Sequence, residues 1–220
     1  GADYIEQDAV LSKDGVPVVL HDITLDQVTN VAEVFPDRGR DNGHWYVMDF
    51  TLDELRQLSV HERDSPSRAW KNAGTRFPVG RGRFRIATLA EHLSLIGGLN
   101  KSRGTDIGVY VEIKSPAQHR EHGLDVSKAV LEVLHQAGYG DSGDRIFVQC
   151  FAESEVRRLR MELDCRMPLI QLLSKPPTRD QIVAYARVAD GLGVRIEAVV
   201  SGITQTIEGP VPKLTDVVRL

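Results

Sequence analysis

Along the 220-residue chain, short apolar runs with the two-residue period of strands alternate with stretches whose apolar positions recur at helical spacing. The first strand-like run is Asp3 to Leu11. Asp14-Gly15 reads as a two-residue hairpin turn, with Val16 to His21 as the returning run. Thr51-x-x-Glu54 and Thr88-x-x-Glu91 have capping-box form and predict helix starts, the second helix ending near Gly97-Gly98. Ile107 to Ile113 predicts a strand. A helix follows over about Gly123 to Ala137, with Val126, Val130, Val133 and Leu134 on one face and Gly138 as its stop. Arg145 to Phe151 and Pro168 to Leu173 read as strands around a helix from Ser154 to Leu163. A last helix follows Pro176-Pro177-Thr178, with Ile182, Tyr185, Ala186 and Ala189 as its stripe. Strand alternating with helix predicts an α/β fold on a parallel sheet.

Residues 27–50 and 59–86 break this rhythm and read as insertions above the sheet. Val60 to Ile86 holds seven Lys or Arg against Glu62 and Asp64, which is either a steering surface for an anion or a solvated loop.

Strand parity brings in the chemistry. Tyr4, Glu6 and Asp8 share one face of the first strand, so two carboxylates project together. A two-residue turn at Asp14-Gly15 would pair Asp8 with His21 and set a histidine beside them. In Ile107 to Lys114 the residues Ile107, Val109, Val111 and Ile113 form an aliphatic face suited to lie under helices, and Tyr110, Glu112 and Lys114 form the other. Glu112 and Lys114 are then either a structural ion pair or part of a site. By the same parity Phe147, Gln149 and Phe151 face inward. Gln149 and Gln171 either hydrogen-bond substrate or satisfy buried neighbours. Cys150 faces the helices, which argues against a cysteine nucleophile; with Cys165 it lacks metal-ligand spacing, and both read as packing residues.

Catalytic groups at the ends of several parallel strands suggest a TIM-type barrel. Glu6, Asp8 and Glu112 are hard oxygen ligands suited to Mg²⁺ or Ca²⁺ rather than zinc. Such a cation suits a phosphate substrate, with Lys114 adding positive charge and His21 transferring a proton.

Composition narrows this little: 41% hydrophobic and 26% charged residues describe one globular domain, and a net charge of −4 gives no global pull toward nucleic acid. No run approaches the roughly 18 apolar residues of a membrane span, so stable membrane insertion is not expected. Oligomeric state is not readable.

The strings Gly1-Ala-Asp-Tyr-Ile-Glu-Gln-Asp8, Lys13-Asp-Gly-Val-Pro-Val-Val-Leu-His-Asp22 with Thr24-Leu-Asp26, Val111-Glu-Ile-Lys-Ser-Pro116 and Val148-Gln-Cys-Phe151 resemble the glycerophosphodiester phosphodiesterases. Val28 to Arg38, Asp49 to Leu55 and Arg76 to Gly80 resemble the longer, bacterial periplasmic branch. The resemblance implies a (β/α)8 barrel as one domain over 1–220 and an extracytoplasmic, periplasmic location. It implies one divalent cation and hydrolysis of small glycerophosphodiesters, such as glycerophosphocholine or glycerophosphoethanolamine, to glycerol 3-phosphate and an alcohol in glycerophospholipid catabolism. Glu6, Asp8 and Glu112 match the family's metal ligands, His21 one of two catalytic histidines and Lys114 its phosphate-side lysine, with Gln149 and Phe151 as candidates for substrate contact. The His-Arg-Gly motif that carries the other histidine is absent. The barrel is therefore expected to be incomplete, lacking its first and last strands, with Lys213 to Leu220 starting a helix and the fragment alone inactive and poorly stable. Two other readings stay open: a phospholipase-D-like or sphingomyelinase-D-like lipid phosphodiesterase, and a non-catalytic binding protein on the same fold.

Overall fold

A computed structural model describes residues 2–61, 84–141, 143–206 and 209–215. Most of the basic stretch within Val60 to Ile86 lies outside the described residues.

Strand β1 (Tyr4–Leu11) returns through the short β2 (Pro17–Val19). Then come the one-turn helices α1 (Val31–Val34) and α2 (Leu52–Leu55), and the long α3 (Leu89–Arg103). The alternating part continues with β3 (Gly108–Ile113), α4 (Pro116–Glu121), α5 (Val126–Gln136), β4 (Ile146–Cys150), α6 (Glu153–Met161), β5 (Leu169–Leu173), α7 (Arg179–Tyr185) and β6 (Gly191–Val194). It ends in α8 (Ile196–Val199) and a separate hairpin of β7 (Val200–Thr206) and β8 (Gly209–Leu214).

Six strands form one sheet in the order β2-β1-β3-β4-β5-β6, every pair parallel except β1 with β2. This is an α/β fold of TIM-barrel type, of which the described residues form an open arc. On the outer face Ala9, Leu11, Val109, Val111, Ile113, Ile146, Val148 and Cys150 pack with Leu89, Leu93 and Ile96 of α3, Val130 and Leu134 of α5 and Leu159 of α6. Each fully buried Val, Leu or Ile side chain there contributes roughly 1.5–3 kcal/mol relative to exposure. The aliphatic parity of β3 and β4 thus faces the helices as expected, with both cysteines buried and free.

Both expected capping boxes are formed. Glu54 Oε2 accepts the Thr51 N–H at 2.8 Å and Glu91 Oε2 the Thr88 N–H at 2.8 Å. A third stands at Thr178 and Gln181.

Three expectations are corrected. Helix α3 runs through Gly97-Gly98 to Arg103, because Leu89, Leu93 and Ile96 anchor it on the sheet, and it is capped by Gly104 in the left-handed region, whose N–H donates to the Asn100 carbonyl. Lys213 and Leu214 lie in β8, paired with β7, rather than in a helix. The 27–50 segment packs on the sheet through a second core, in which its Val31, Val47 and Phe50 meet Val10, Val18, Leu25, Leu55, Leu58 and Ile86.

The third correction is the hairpin. Its pairs are Leu11 with Pro17, Val10 with Val18 and Ala9 with Val19, one residue away from the expected register. Ser12 is the cause. Its N–H donates to the Val16 carbonyl at 3.0 Å, while its Oγ accepts the Val16 N–H at 3.0 Å and donates to Asp14 Oδ1 at 2.7 Å. The loop therefore has three residues, closed by Gly15 at φ +79°, a left-handed position that glycine fills without strain.

Candidate active site

The parallel register places the polar residues in rows across the inner face. Asp8 lies beside Glu112 and Glu112 beside Gln149; one step down, Glu6 lies beside Tyr110 and Tyr110 beside Phe147. Residues in register on parallel strands point the same way, so β1, β3 and β4 present one charged row over one aromatic row. The Phe147 ring sits 5.1 Å, centroid to centroid, from both Tyr4 and Tyr110. Gly108 makes room for this layer, since a Cβ there would come within 2.4 Å of the Tyr4 ring. On the same face of β1, two residues beyond Asp8, Val10 enters the second core, so the 27–50 segment walls off that end of the charged row.

Carboxylate oxygens of Glu6, Asp8 and Glu112 all lie within 4.8 Å of one another. Lys114, just past the end of β3, places Nζ 2.9 Å from Glu112 Oε1 and 3.5 Å from Asp8 Oδ1. Three carboxylates against one ammonium leave a deficit of positive charge. Burial and then repulsion from Asp8 and Glu112 raise the Glu6 pKa, although Lys114 and His21 pull the other way. Burial likewise raises Glu112 despite its bond to Lys114. Burial alone would depress Lys114, but its bond to Glu112 and the fields of Glu112 and Asp8 outweigh that and raise it. The Tyr110 hydroxyl is raised by burial and by Glu6.

Oxygen donors on opposite sides of a Ca²⁺ ion stand about 4.6–5.2 Å apart, twice the usual metal–oxygen distance. The three carboxylates thus have the spacing and the hard-oxygen chemistry to hold such an ion. Their surplus of negative charge is what a divalent cation would neutralise.

His21 does not stand opposite Asp8. Asp8 instead takes the Leu20 N–H at 3.1 Å, β2 ends at Val19, and His21 lies on the exposed bend that follows. The bend still carries it close enough for its charge to act on Glu6 and Glu112. Its Nδ1 is 2.6 Å from Asp22 Oδ1, which orients the ring. The orienting role of Asp22 was missed from sequence, where the adjacent His-Asp pair was its signal.

Gln149 donates to Glu6 Oε1 at 3.2 Å and so positions a carboxylate. Phe151 lies just past β4, half exposed at the rim. Gln171 is buried, donating at 3.0 Å to the carbonyls of Phe151 and Leu172, with its Oε1 lacking a partner among the described residues. Cys150 is buried and its thiol pushed up to about 12, which excludes it as a nucleophile at neutral pH.

The profile of the glycerophosphoryl diester phosphodiesterase family matches residues 1–218. The chain belongs to this family. It is 39% identical over 180 residues to the glycerophosphodiester phosphodiesterase of Haemophilus influenzae, covering 79% of this chain and 49% of that protein. It is also 39% identical over 188 residues to that of Treponema pallidum, covering 82% and 52%. The chain thus spans about half the length of these curated relatives. Its fold is similar to an Oleispira antarctica phosphodiesterase solved in complex with the product sn-glycerol-3-phosphate, at TM-score 0.58 and 21% identity, covering 88% of this chain and 64% of that one.

Proposed function

We propose that this chain carries the reacting centre of a metal-dependent glycerophosphodiester phosphodiesterase. The observation that carries the reading is the cluster of Glu6, Asp8 and Glu112 oxygens within 4.8 Å, with Lys114 bonded into it. In this reading the three carboxylates hold one Ca²⁺ or Mg²⁺. Such an ion, when bound, polarises the phosphoryl oxygens of the substrate.

Of the remaining steps, the chain's own residues supply a part, the second histidine that the resemblance implies not being among those matched here. Lys114 turns its ammonium toward the equatorial phosphoryl oxygens, where negative charge builds up in the transition state. His21, oriented through Nδ1 by Asp22, moves a proton at Nε2 between the reacting oxygens and solvent. Gln149 keeps Glu6 aimed at the row, and Phe151 at the rim contacts the substrate. The substrates are small glycerophosphodiesters such as glycerophosphocholine or glycerophosphoethanolamine, and the products are glycerol 3-phosphate and the free alcohol, a step in glycerophospholipid catabolism. Support comes from the family membership and from the ligand named in the Oleispira structure. Among the described residues no helix is long and apolar enough to cross a membrane. The periplasmic location rests on the resemblance alone, and cell fractionation tests it.

The deciding assay takes the 220-residue chain and the full product of its open reading frame, incubates each with glycerophosphocholine with and without a chelator, and measures glycerol 3-phosphate. Chelator-sensitive release is expected from the full product. Its absence would remove this reading in favour of a binding protein, and cleavage of intact phospholipid or sphingomyelin instead would favour the lipid phosphodiesterases.

A further inference from the structure

His119, on α4, is fully buried and takes no part in the chemistry above. Both of its ring nitrogens are nonetheless engaged. Nε2 accepts the Leu11 N–H at 2.9 Å, and Nδ1 lies 3.0 Å from the Ser115 carbonyl oxygen. An amide donor at Nε2 puts the ring proton on Nδ1, which therefore donates to Ser115. Burial pushes the His119 pKa down and nearby His122 adds to this, so the neutral form that both bonds require is favoured.

The two partners sit at the ends of the strands that carry the site. Leu11 is three residues past Asp8 on β1, and Ser115 directly follows Lys114. The β1–β3 ladder closes with the Lys114 N–H donating to the Ala9 carbonyl at 3.1 Å. In a continuing parallel ladder the next rung would run from the Leu11 N–H to the Lys114 carbonyl. Here the Leu11 N–H goes to the imidazole, and the chain turns away at Ser115 with φ +46°, a conformation that a non-glycine residue keeps only where its surroundings hold it.

We propose that His119 is a positioning residue for Lys114: its imidazole stands in for the missing rung between β1 and β3 and clamps the Ser115 turn, fixing the backbone from which Lys114 reaches Glu112 and Asp8. The functional half of this rests on the reading of Lys114 as the phosphate-side cation. An apolar side chain of similar size would fill the same space but would release both strand ends.

The test compares wild type with His119→Leu, His119→Gln and His119→Asn. Gln can place an acceptor where Nε2 stands, and Asn a donor where Nδ1 stands, so each amide keeps one of the two bonds. Amide hydrogen exchange, followed by NMR, reads the β1–β3 seam at the Leu11 and Lys114 N–H groups. In His119→Leu both are expected to exchange about tenfold or more faster than in wild type, with the amide variants in between. With glycerophosphocholine and the full product of the open reading frame, kcat of His119→Leu falls about tenfold or more while KM stays within about twofold, and the amide variants recover part of the loss. A folded His119→Leu with wild-type exchange at Leu11 and Lys114, or with unchanged kcat, would overturn the proposal. Should the Leu variant not fold, wild-type exchange in both amide variants would do the same. If the full wild-type product cleaves nothing, the phosphodiesterase reading fails by itself, and exchange at Leu11 and Lys114 still decides whether His119 ties the seam that carries Lys114.

Discussion

Two buried carboxylates, Glu112 on the inner face of the sheet and Glu155 in the helical layer outside it, meet opposite electrostatic fates. Glu155 accepts from Ser127 Oγ at 2.5 Å and from Arg158 Nη1 at 2.8 Å, and is paired with Arg120 as well. Arg158 also grips Asp125. Burial would raise Glu155, but these bonds outweigh it and hold its pKa below the usual carboxylate value. Glu112 shares a single lysine with Asp8, stands near Glu6, and is raised. One carboxylate is oversupplied with cations and the other undersupplied. A complete network marks structure, whereas an incomplete one marks a place for something the chain does not itself supply.

The comparison can be broken most sharply at Glu155. Glu155→Ala leaves Arg120 and Arg158 facing an emptied buried site and is expected to cost about 3–5 kcal/mol. Urea unfolding measures the loss, and kcat per folded molecule should be unchanged. Lys114→Met does the reverse, lowering kcat about 100- to 1000-fold, a loss of roughly 2.7–4 kcal/mol in transition-state binding. Steady-state kinetics check it.

Smaller effects sharpen the contrast. Glu6→Gln relieves like-charge repulsion and should stabilise the cation-free protein by about 0.5–1 kcal/mol. Saturating Ca²⁺ should reverse the sign, because wild type alone then keeps all three ligands; thermal unfolding with and without chelator reads both. The smallest effect is its pH dependence. A carboxylate whose folded pKa is raised weakens the fold above that pKa, and the penalty disappears as pH falls through it toward the unfolded value. The advantage of Glu6→Gln in chelator should therefore shrink on acidification from pH 7 through the raised Glu6 pKa. Glu155 and Asp125 run the other way: their contribution is full above the ordinary carboxylate pKa and is lost below it.

Much of the inner face was legible in the sequence, because side-chain alternation is fixed by strand geometry. Glu6 with Asp8 on β1, and Tyr110 with Glu112 on β3, share a face whatever the loops do. The hairpin register was not legible, since it depended on the Ser12 hydroxyl capturing the Val16 N–H and adding a residue to the loop. His21 comes near the carboxylates all the same, through the bend after β2 rather than through strand pairing. Gly97-Gly98 looked like a helix stop because local propensity ignores the sheet that holds α3 in place. Residues 27–50 lacked a strand or helix period, yet they build a second core from residues scattered between Val10 and Ile86. Long-range assembly of that kind leaves no periodic trace. The role of His119 was also hidden, because its partners are the ends of two strands that pair only in the folded sheet.

That pairing has a kinetic consequence. Asp8 and Glu112 become neighbours only when β1 joins β3 across about a hundred residues of chain, a contact whose loop-closure cost delays it. Repulsion among the acidic groups is therefore felt late, after most local structure has formed. A bound divalent ion would then act chiefly as a latch, slowing the opening of the β1–β3 seam while leaving the rate of its closing almost untouched.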